Sequence, residues 1–598
     1  MTVLERARAF LGVERSLTGR LWYGRGADDP AIERTGLMLA QRLGLPELIG
    51  RLIAARGVPA EEAERFLSPT LKSFLPDPSL FRDMDKAAGR IVEAVRAGQR
   101  IAVFGDYDVD GATSSALLAR FLRAVSQPPT VYIPDRMREG YGPNGPALRK
   151  LKGEGADLVI TVDCGATAFA PLAEAAEVGL DVIVCDHHIG EAALPAAFAV
   201  INPNRLDETV PYRQLAAVGV TFLLAVAVNR GLRQAGWYGA ARPEPDLLAL
   251  LDLVALGTVC DVVPLTGLNR ALVAQGLKMV AQRGNLGLAT LADVAGLKEA
   301  PDAYHLGYLL GPRVNAGGRV GNSAYGATLL STEDPHEARR IALELHRLNE
   351  ERRGIESAVL DSALQKVEAE RRNDLSLVFV ASEDWHPGVI GIVASRLKDR
   401  FNRPAIVVGI DQGIAKGSGR SLPGIAMGEA VLAARQAGLL MSGGGHAMAA
   451  GFACDPARLP ELRQFLEDRM GRATEPGALV PRLGFDGTVE VSGATAGLVA
   501  QLAQLGPYGA GHAEPRFALP AAAIVKADVV GESHVRCILT GPTGGRLKAI
   551  AFRSLDTPLG AALLNTRGRA LHIAGHLRAD RWNGREEAQL LIEDAAEA

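Results

Sequence analysis

The sequence predicts an α/β protein: a parallel-sheet lobe, a second α/β lobe joined to it by a long helix, and a small C-terminal β-barrel. Three observations predict this. Short apolar runs alternate with helical segments over residues 71–333, and such alternation implies a parallel sheet covered on both faces. A long helical pattern covers His336 to Arg372. Short strands with glycine-rich turns fill the tail.

The gross numbers agree. At 598 residues the chain exceeds one compact core, and length suggests roughly three or four domains. Hydrophobic residues make up 48% and charged residues 22%, as in a globular protein. The net charge is −3, from 65 basic and 68 acidic residues, so a polyanion must be held by local basic patches. Cys164, Cys185, Cys260, Cys454 and Cys537 form no CxxC pair, which argues against a zinc knuckle or disulfide framework and for buried free thiols. The N-terminus MTVLERARAF lacks an apolar signal core and no run has membrane-span length, so a cytoplasmic protein is expected.

Taken in order, residues 1–70 read as a helical extension broken by Pro and Gly. From 71 to 333, RIAVFGD, TVYIPD, DLVITVD, LDVIVCD and FAVINP suit buried strands, with helices such as SSALLARFLRAV between them. A polar turn at Pro335 opens the connecting helix of 334–372, which is interrupted only by Gly354 and would span roughly 55 Å. A second α/β unit covers 373–472. The β-rich tail, 473–598, contains HVRCILTG, RLKAIAFRS and EAQLLIED.

The chemistry concentrates in FGDYDVDGATSS, where Asp106, Asp108 and Asp110 alternate just after an apolar run. Three close carboxylates repel, and a cation relieves them. The D-x-D-x-D-G spacing is not an EF-hand, because position twelve is Leu117 rather than Glu and the preceding segment reads as a strand. Asp106, Asp163 and Asp186 each follow a predicted parallel strand, and that edge is where open α/β sheets bind ligands. His187 and His188 come next to Asp186, and Asp261 follows a long apolar helix. Carboxylates with one or two imidazoles suit Mn²⁺ or Mg²⁺. Each motif alone is equally a helix cap or a pair of satisfied histidines; their combination on one sheet edge is what points to metal. GYGPNG matches GxGxxG but follows no strand and contains Pro143, so a loop over the site is expected rather than a dinucleotide site.

DYDVDG, VDCG, DHH and GTVCDV resemble the ordered motifs of the DHH phosphoesterase superfamily. RMREGYGPN, LGPRVNAGGR, DWHPGVIGIVASRL, GSGRS, GGGHAMAAG and WNGREEAQLLIEDA resemble its RecJ family in particular, over almost the whole chain. The resemblance implies a DHH domain at 71–333, a DHH-associated domain at 373–472 and an OB-fold barrel. It also implies a single-stranded-DNA-specific 5′→3′ exonuclease that releases 5′-mononucleotides in DNA repair and recombination, with two divalent ions, Mn²⁺ or Mg²⁺, as cofactors. By the same resemblance Asp108 binds one ion, Asp110 and His187 the other, Asp163 lies between them and Asp261 completes the second site. Asp186 orients a histidine, and His188 faces the scissile phosphate. Smaller superfamily members carry a ligand His where this chain has Phe104, so Asp106 is an additional candidate ligand.

Three glycine-rich segments, read as loops, offer phosphate contacts: Arg313, Asn315 and Arg319 in GPRVNAGGR; Lys416, Ser418, Arg420 and Ser421 in KGSGRS; and His446 in SGGGHAMAAG. Phe552 and Trp582, with Arg546, Lys548, Arg553, Arg578 and Arg581, are available for a single-strand groove on the barrel. The resemblance further implies a strand-wide passage between two lobes, and a single-strand-binding protein and a RecQ-type helicase as partners. A phosphodiesterase of short oligonucleotides or cyclic dinucleotides and a non-catalytic scaffold are the competing readings. The barrel argues against the first and the complete ligand set against the second.

Overall fold

A computed structural model describes residues 9–26, 29–136, 138–370, 376–473, 479–566, 568–582 and 585–598, without the side chains of 472–473, 581–582 and 585. It divides into two units, one of residues 1–23 and 349–484, the other of 24–348 and 485–598.

The larger unit is built on five strands, β1 (Ile101–Gly105), β2 (Thr130–Tyr132), β3 (Leu158–Val162), β4 (Asp181–Cys185) and β5 (Ala199–Ile201). All pairs are parallel, in the order β2-β1-β3-β4-β5. Alternate side chains serve two cores. Ile101, Val103, Leu158, Ile160 and Ile183 face one, and Ala102, Phe104, Val159, Val182 and Val184 the other. That is why these strands read as continuous apolar runs. Helices α1 (Val109–Ala124), α2 (Ala217–Gln234), α3 (Leu251–Cys260) and α4 (Gly267–Gln282) follow in the chain. The order reverses direction between β1 and β3, the switch point where doubly wound sheets bind ligands.

The segment GPRVNAGGR is not a loop. It forms a helix, α5 (Gly311–Val320), entered through a π-helical turn at His305–Leu310. Its glycines serve close packing: a Cβ on Gly318 would lie 2.7 Å from the Tyr107 carbonyl, and one on Gly317 2.7 Å from that of Asn322. Helix α6 (Pro335–Ala369) runs unbroken through Gly354.

In the smaller unit, β6 (Val378–Ser382), β7 (Ala405–Asp411), β8 (Ile414–Arg420), β9 (Ser442–His446) and β10 (Ala449–Cys454) form a mixed sheet in the order β9-β10-β8-β7-β6. Helix α7 (Ile390–Phe401) and Val359, Ala363 and Val367 of α6 cover one face. KGSGRS runs along β8 with Ser421 just past its end, so it is a strand and not a loop, and SGGGHAMAAG is the β9–β10 hairpin. Gly417 and Gly419 are selected by the core: a Cβ there would lie 2.1 Å from the Phe452 ring and 2.7 Å from Met427 Sδ. The described residues of 9–70 contain the expected helices and also a strand that was not expected, Leu21–Gly24, paired with Arg482–Phe485.

The tail is a barrel of β11 (Phe517–Val530), β12 (His534–Gly541), β13 (Gly544–Ala551), β14 (Leu571–Trp582) and β15 (Arg585–Glu597). Pairing runs β11-β12-β13-β15-β14 and closes between β11 and β14. Closure removes the free edges an open sheet would expose. No described helix is long and apolar enough to cross a membrane.

Candidate metal centre

Register assembles the site. Gly105, Val162 and Cys185 are aligned across β1, β3 and β4, so the next residues, Asp106, Asp163 and Asp186, emerge side by side. Asp108 caps α1, its Oδ1 accepting from the Gly111 amide at 3.0 Å. Within the first turn of that helix, Asp110 is fully buried and accepts from the Ala217 and Val218 amides, 2.7 and 2.9 Å away at the start of α2. Asp261 sits at the end of α3. Asp163 holds φ at 61°, a left-handed conformation uncommon for non-glycine residues.

His187 is the hub. Its Nδ1–H donates to the Leu215 carbonyl at 3.1 Å, which leaves the lone pair on Nε2. That atom lies 3.3 Å from Asp163 Oδ1 and 4.0 Å from Asp110 Oδ2, and Nδ1 is 3.6 Å from Asp261 Oδ2. Among the described residues, three sets of donor atoms converge closely enough to hold an ion: Asp106, Asp108 and Asp163; Asp110, His187 and Asp261; Asp163, His187 and His188.

The electrostatics fit a cation. Burial, then the charge of Asp108, raises Asp106 and Asp163 well above the carboxylate range and brings Asp110 to about 7. Burial and Asp110 push Asp261 up to about 9. Burial lowers His187 to about 4, keeping it neutral as a ligand should be. Asp106 Oδ1, Asp163 Oδ1, His187 Nε2 and Asp261 Oδ2 are buried without a hydrogen-bond partner. Orphaned acceptors of this kind are costly unless something positive binds them.

Asp186 behaves differently. Burial would raise it, but hydrogen bonds hold it down at about 2. It accepts from the ring of His188 at 2.8 Å and from the amides of Ala166, His187 and His188. His188 is correspondingly raised to about 9, burial opposing the pull of Asp186.

Several contributors had no sequence signal of their own. Tyr141, in the expected loop GYGPNG, donates its hydroxyl to the Asp163 carbonyl at 2.9 Å and lies 3.2 Å from His188 Nδ1. Asn269, fully buried, donates to the carbonyls of Gln214 and Pro264. The turn before the barrel also touches this region: the Leu265 amide donates to Ala510 at 2.8 Å, and a Cβ on Gly511 would lie 2.8 Å from Pro264.

The expected phosphate contacts belong to both units. Arg319 and Asn315 are half-buried on α5. Arg313 is largely buried and donates to the Leu309 carbonyl and to His346 at 3.2 Å. In the other unit Arg420 lies 3.1 Å from Ser418, beside the first turn of α7, and His446 is exposed. On the barrel, Lys548 pairs with Glu587 at 2.7 Å and Arg578 with Glu514 at 2.9 Å, so the expected basic groove is partly neutralised. Phe552 is exposed, and the side chains of Arg581 and Trp582 lie outside the described residues.

Fold and site place the chain in a known class. The DHH family N-terminal domain matches residues 100–258, the DHHA1 domain 374–472 and the RecJ OB domain 485–594. The protein is thus a DHH-superfamily member with an appended OB barrel. Within that class the chain belongs to the RecJ family. It is 38% identical to the single-stranded-DNA-specific exonuclease RecJ of Dickeya dadantii, over 92% of this chain and 96% of that one. Against the protein of the same name from Escherichia coli the identity is 37%, with the same coverage. The crystal structure of RecJ from Thermus thermophilus in complex with Mn²⁺ superposes with a TM-score of 0.76 at 32% identity, covering 94% of this chain and 78% of that one. Its Mg²⁺ complex gives 0.72 at 30% identity, covering 94% and 77%.

Proposed function

We propose that this protein is a metal-dependent exonuclease specific for single-stranded DNA. It shortens strands from the 5′ end, releasing 5′-mononucleotides, and acts in DNA repair and recombination. The observation that carries the reading is that the donor sets run into one another, Asp163 belonging to two of them and His187 to two, as adjacent sites for two ions require. In this reading Asp108 and Asp163, with Asp106, hold one Mn²⁺ or Mg²⁺, and Asp110, His187 and Asp261 hold the second alongside Asp163. Bound there, the ions supply positive charge at the phosphate under attack and acidify water at neutral pH.

The protein's own groups do the positioning. The Leu215 carbonyl presents His187 Nε2 to the site, and the start of α2 holds Asp110. Asp186 keeps its charge and so keeps His188 protonated and aimed, 4.0 Å from Asp163 Oδ1. His188 then donates to the phosphate or delivers a proton to the departing oxygen. Arg313, Asn315 and Arg319 contact the strand, and Ser418, Arg420 and His446 take the terminal phosphate.

The test is purified protein in Mn²⁺ with labelled single-stranded, duplex and dinucleotide substrates. Stepwise loss of mononucleotides from the 5′ end of the single strand is expected. Cleavage confined to dinucleotides, or binding without cleavage, overturns the reading.

A further inference from the structure

We propose that Tyr304 and Tyr308 form a stacking platform for unpaired bases of the substrate strand. The proposal rests on the exonuclease reading and adds a binding surface to it.

Both tyrosines belong to the π-helical turn region before α5 and are 52% and 75% exposed. Their rings stack on each other, centroids 5.1 Å apart and planes 28° from parallel. The turn beneath is anchored by Leu306 and Leu310, both fully buried. Two large flat rings held outward on a buried support are unusual for a surface that binds nothing, and π turns recur at functional sites.

Position names the occupant. On one side the turn lies against the end of α3, which leads into Asp261: Cys260 Sγ donates to the Leu306 carbonyl at 3.4 Å, and a Cβ on Gly307 would lie 3.3 Å from Val259. On the other side Arg578 of the barrel stands 5.9 Å from the centre of the Tyr304 ring. The platform is therefore flanked by the metal centre's own helix and by the barrel.

The surrounding charges select bases over phosphates. Asp302 and Glu299 pair with His305 at 2.7 and 3.1 Å, and Glu514 pairs with Arg578. His305 and Arg578 are thus engaged by carboxylates, and what the patch offers outward is ring faces. A single strand can turn its bases toward such faces whatever their sequence. A duplex keeps its bases inside and presents phosphates, which the carboxylates disfavour.

The experiment compares the wild type with Tyr304→Ala/Tyr308→Ala and with Tyr304→Phe/Tyr308→Phe. Oligodeoxynucleotides of graded length carry one 2-aminopurine at successive positions, and binding is followed without added divalent ion. The wild type is expected to quench 2-aminopurine at one or two adjacent internal positions. The alanine pair is expected to lose that quenching and to bind long strands roughly tenfold more weakly. Its affinity for strands too short to reach the platform is expected to stay at the wild-type value, and the phenylalanine pair, which keeps the ring faces, to restore both signals. Unchanged quenching and affinity in the alanine pair overturn the proposal, as does an equal loss on long and short strands. A wild type that shortens single strands in Mn²⁺ while the alanine pair binds normally rejects the platform alone. A wild type that does not shorten them rejects the exonuclease reading beneath it.

Discussion

Asn269 shows how far the metal centre extends beyond its ligands. One amide nitrogen ties the carbonyl of Pro264, three residues after Asp261, to that of Gln214, whose neighbour Leu215 orients His187. Asn269→Ala should weaken Mn²⁺ at the Asp110–His187–Asp261 set by about 10–100-fold. Calorimetry on metal-free protein should show this loss while the Asp106–Asp108–Asp163 set binds normally. Asp163→Ala should abolish cleavage and leave strand binding measurable; near-normal turnover would reject its sharing between ions. The acidic and imidazole residues were legible in the sequence because they lie just past strand ends or at helix ends. Asn269 and Tyr141 were not, because they act through backbone carbonyls supplied by distant segments, and no spacing rule records such a bond.

At the scale of elements, two of the glycine-rich segments depart from the loops the sequence suggests. Glycine in a sequence suggests freedom to turn. In α5 and β8 it answers instead to close approach, by the Tyr107 carbonyl, the Phe452 ring and Met427. Both causes leave the same letter in the sequence, and only packing tells them apart. Gly417→Ala should therefore destabilise the smaller unit by about 1–3 kcal/mol through overpacking, read as a lower urea midpoint. The strands of the parallel sheet were legible because burial on both faces writes an uninterrupted apolar run. The strand Leu21–Gly24 was not, since its partner lies more than 450 residues away in the chain and its own pattern is too short to mark it.

At the scale of the whole molecule, the barrel adds a pH dependence of its own. Burial would raise the Glu593 carboxyl, but hydrogen bonds from His576 and Arg516 outweigh it and hold the group at about 2 rather than 4.5. A carboxyl depressed by folding stabilises fully above its unfolded value and loses that contribution as pH falls toward the folded one. The difference in urea midpoint between wild type and Glu593→Gln should thus be complete at neutral pH and shrink between pH 4.5 and 2. A gap independent of pH would mean that the carboxylate's charge contributes nothing.

The turn Gly509–His512 carries a last implication. It leads into the barrel yet rests on Pro264 and Leu265, a few residues past Asp261. The tail is then a buttress for the reaction centre as much as a handle for its substrate. A bulky residue at Gly511, whose φ is 65°, should surface first as poor manganese retention, with the grip on DNA failing only afterwards.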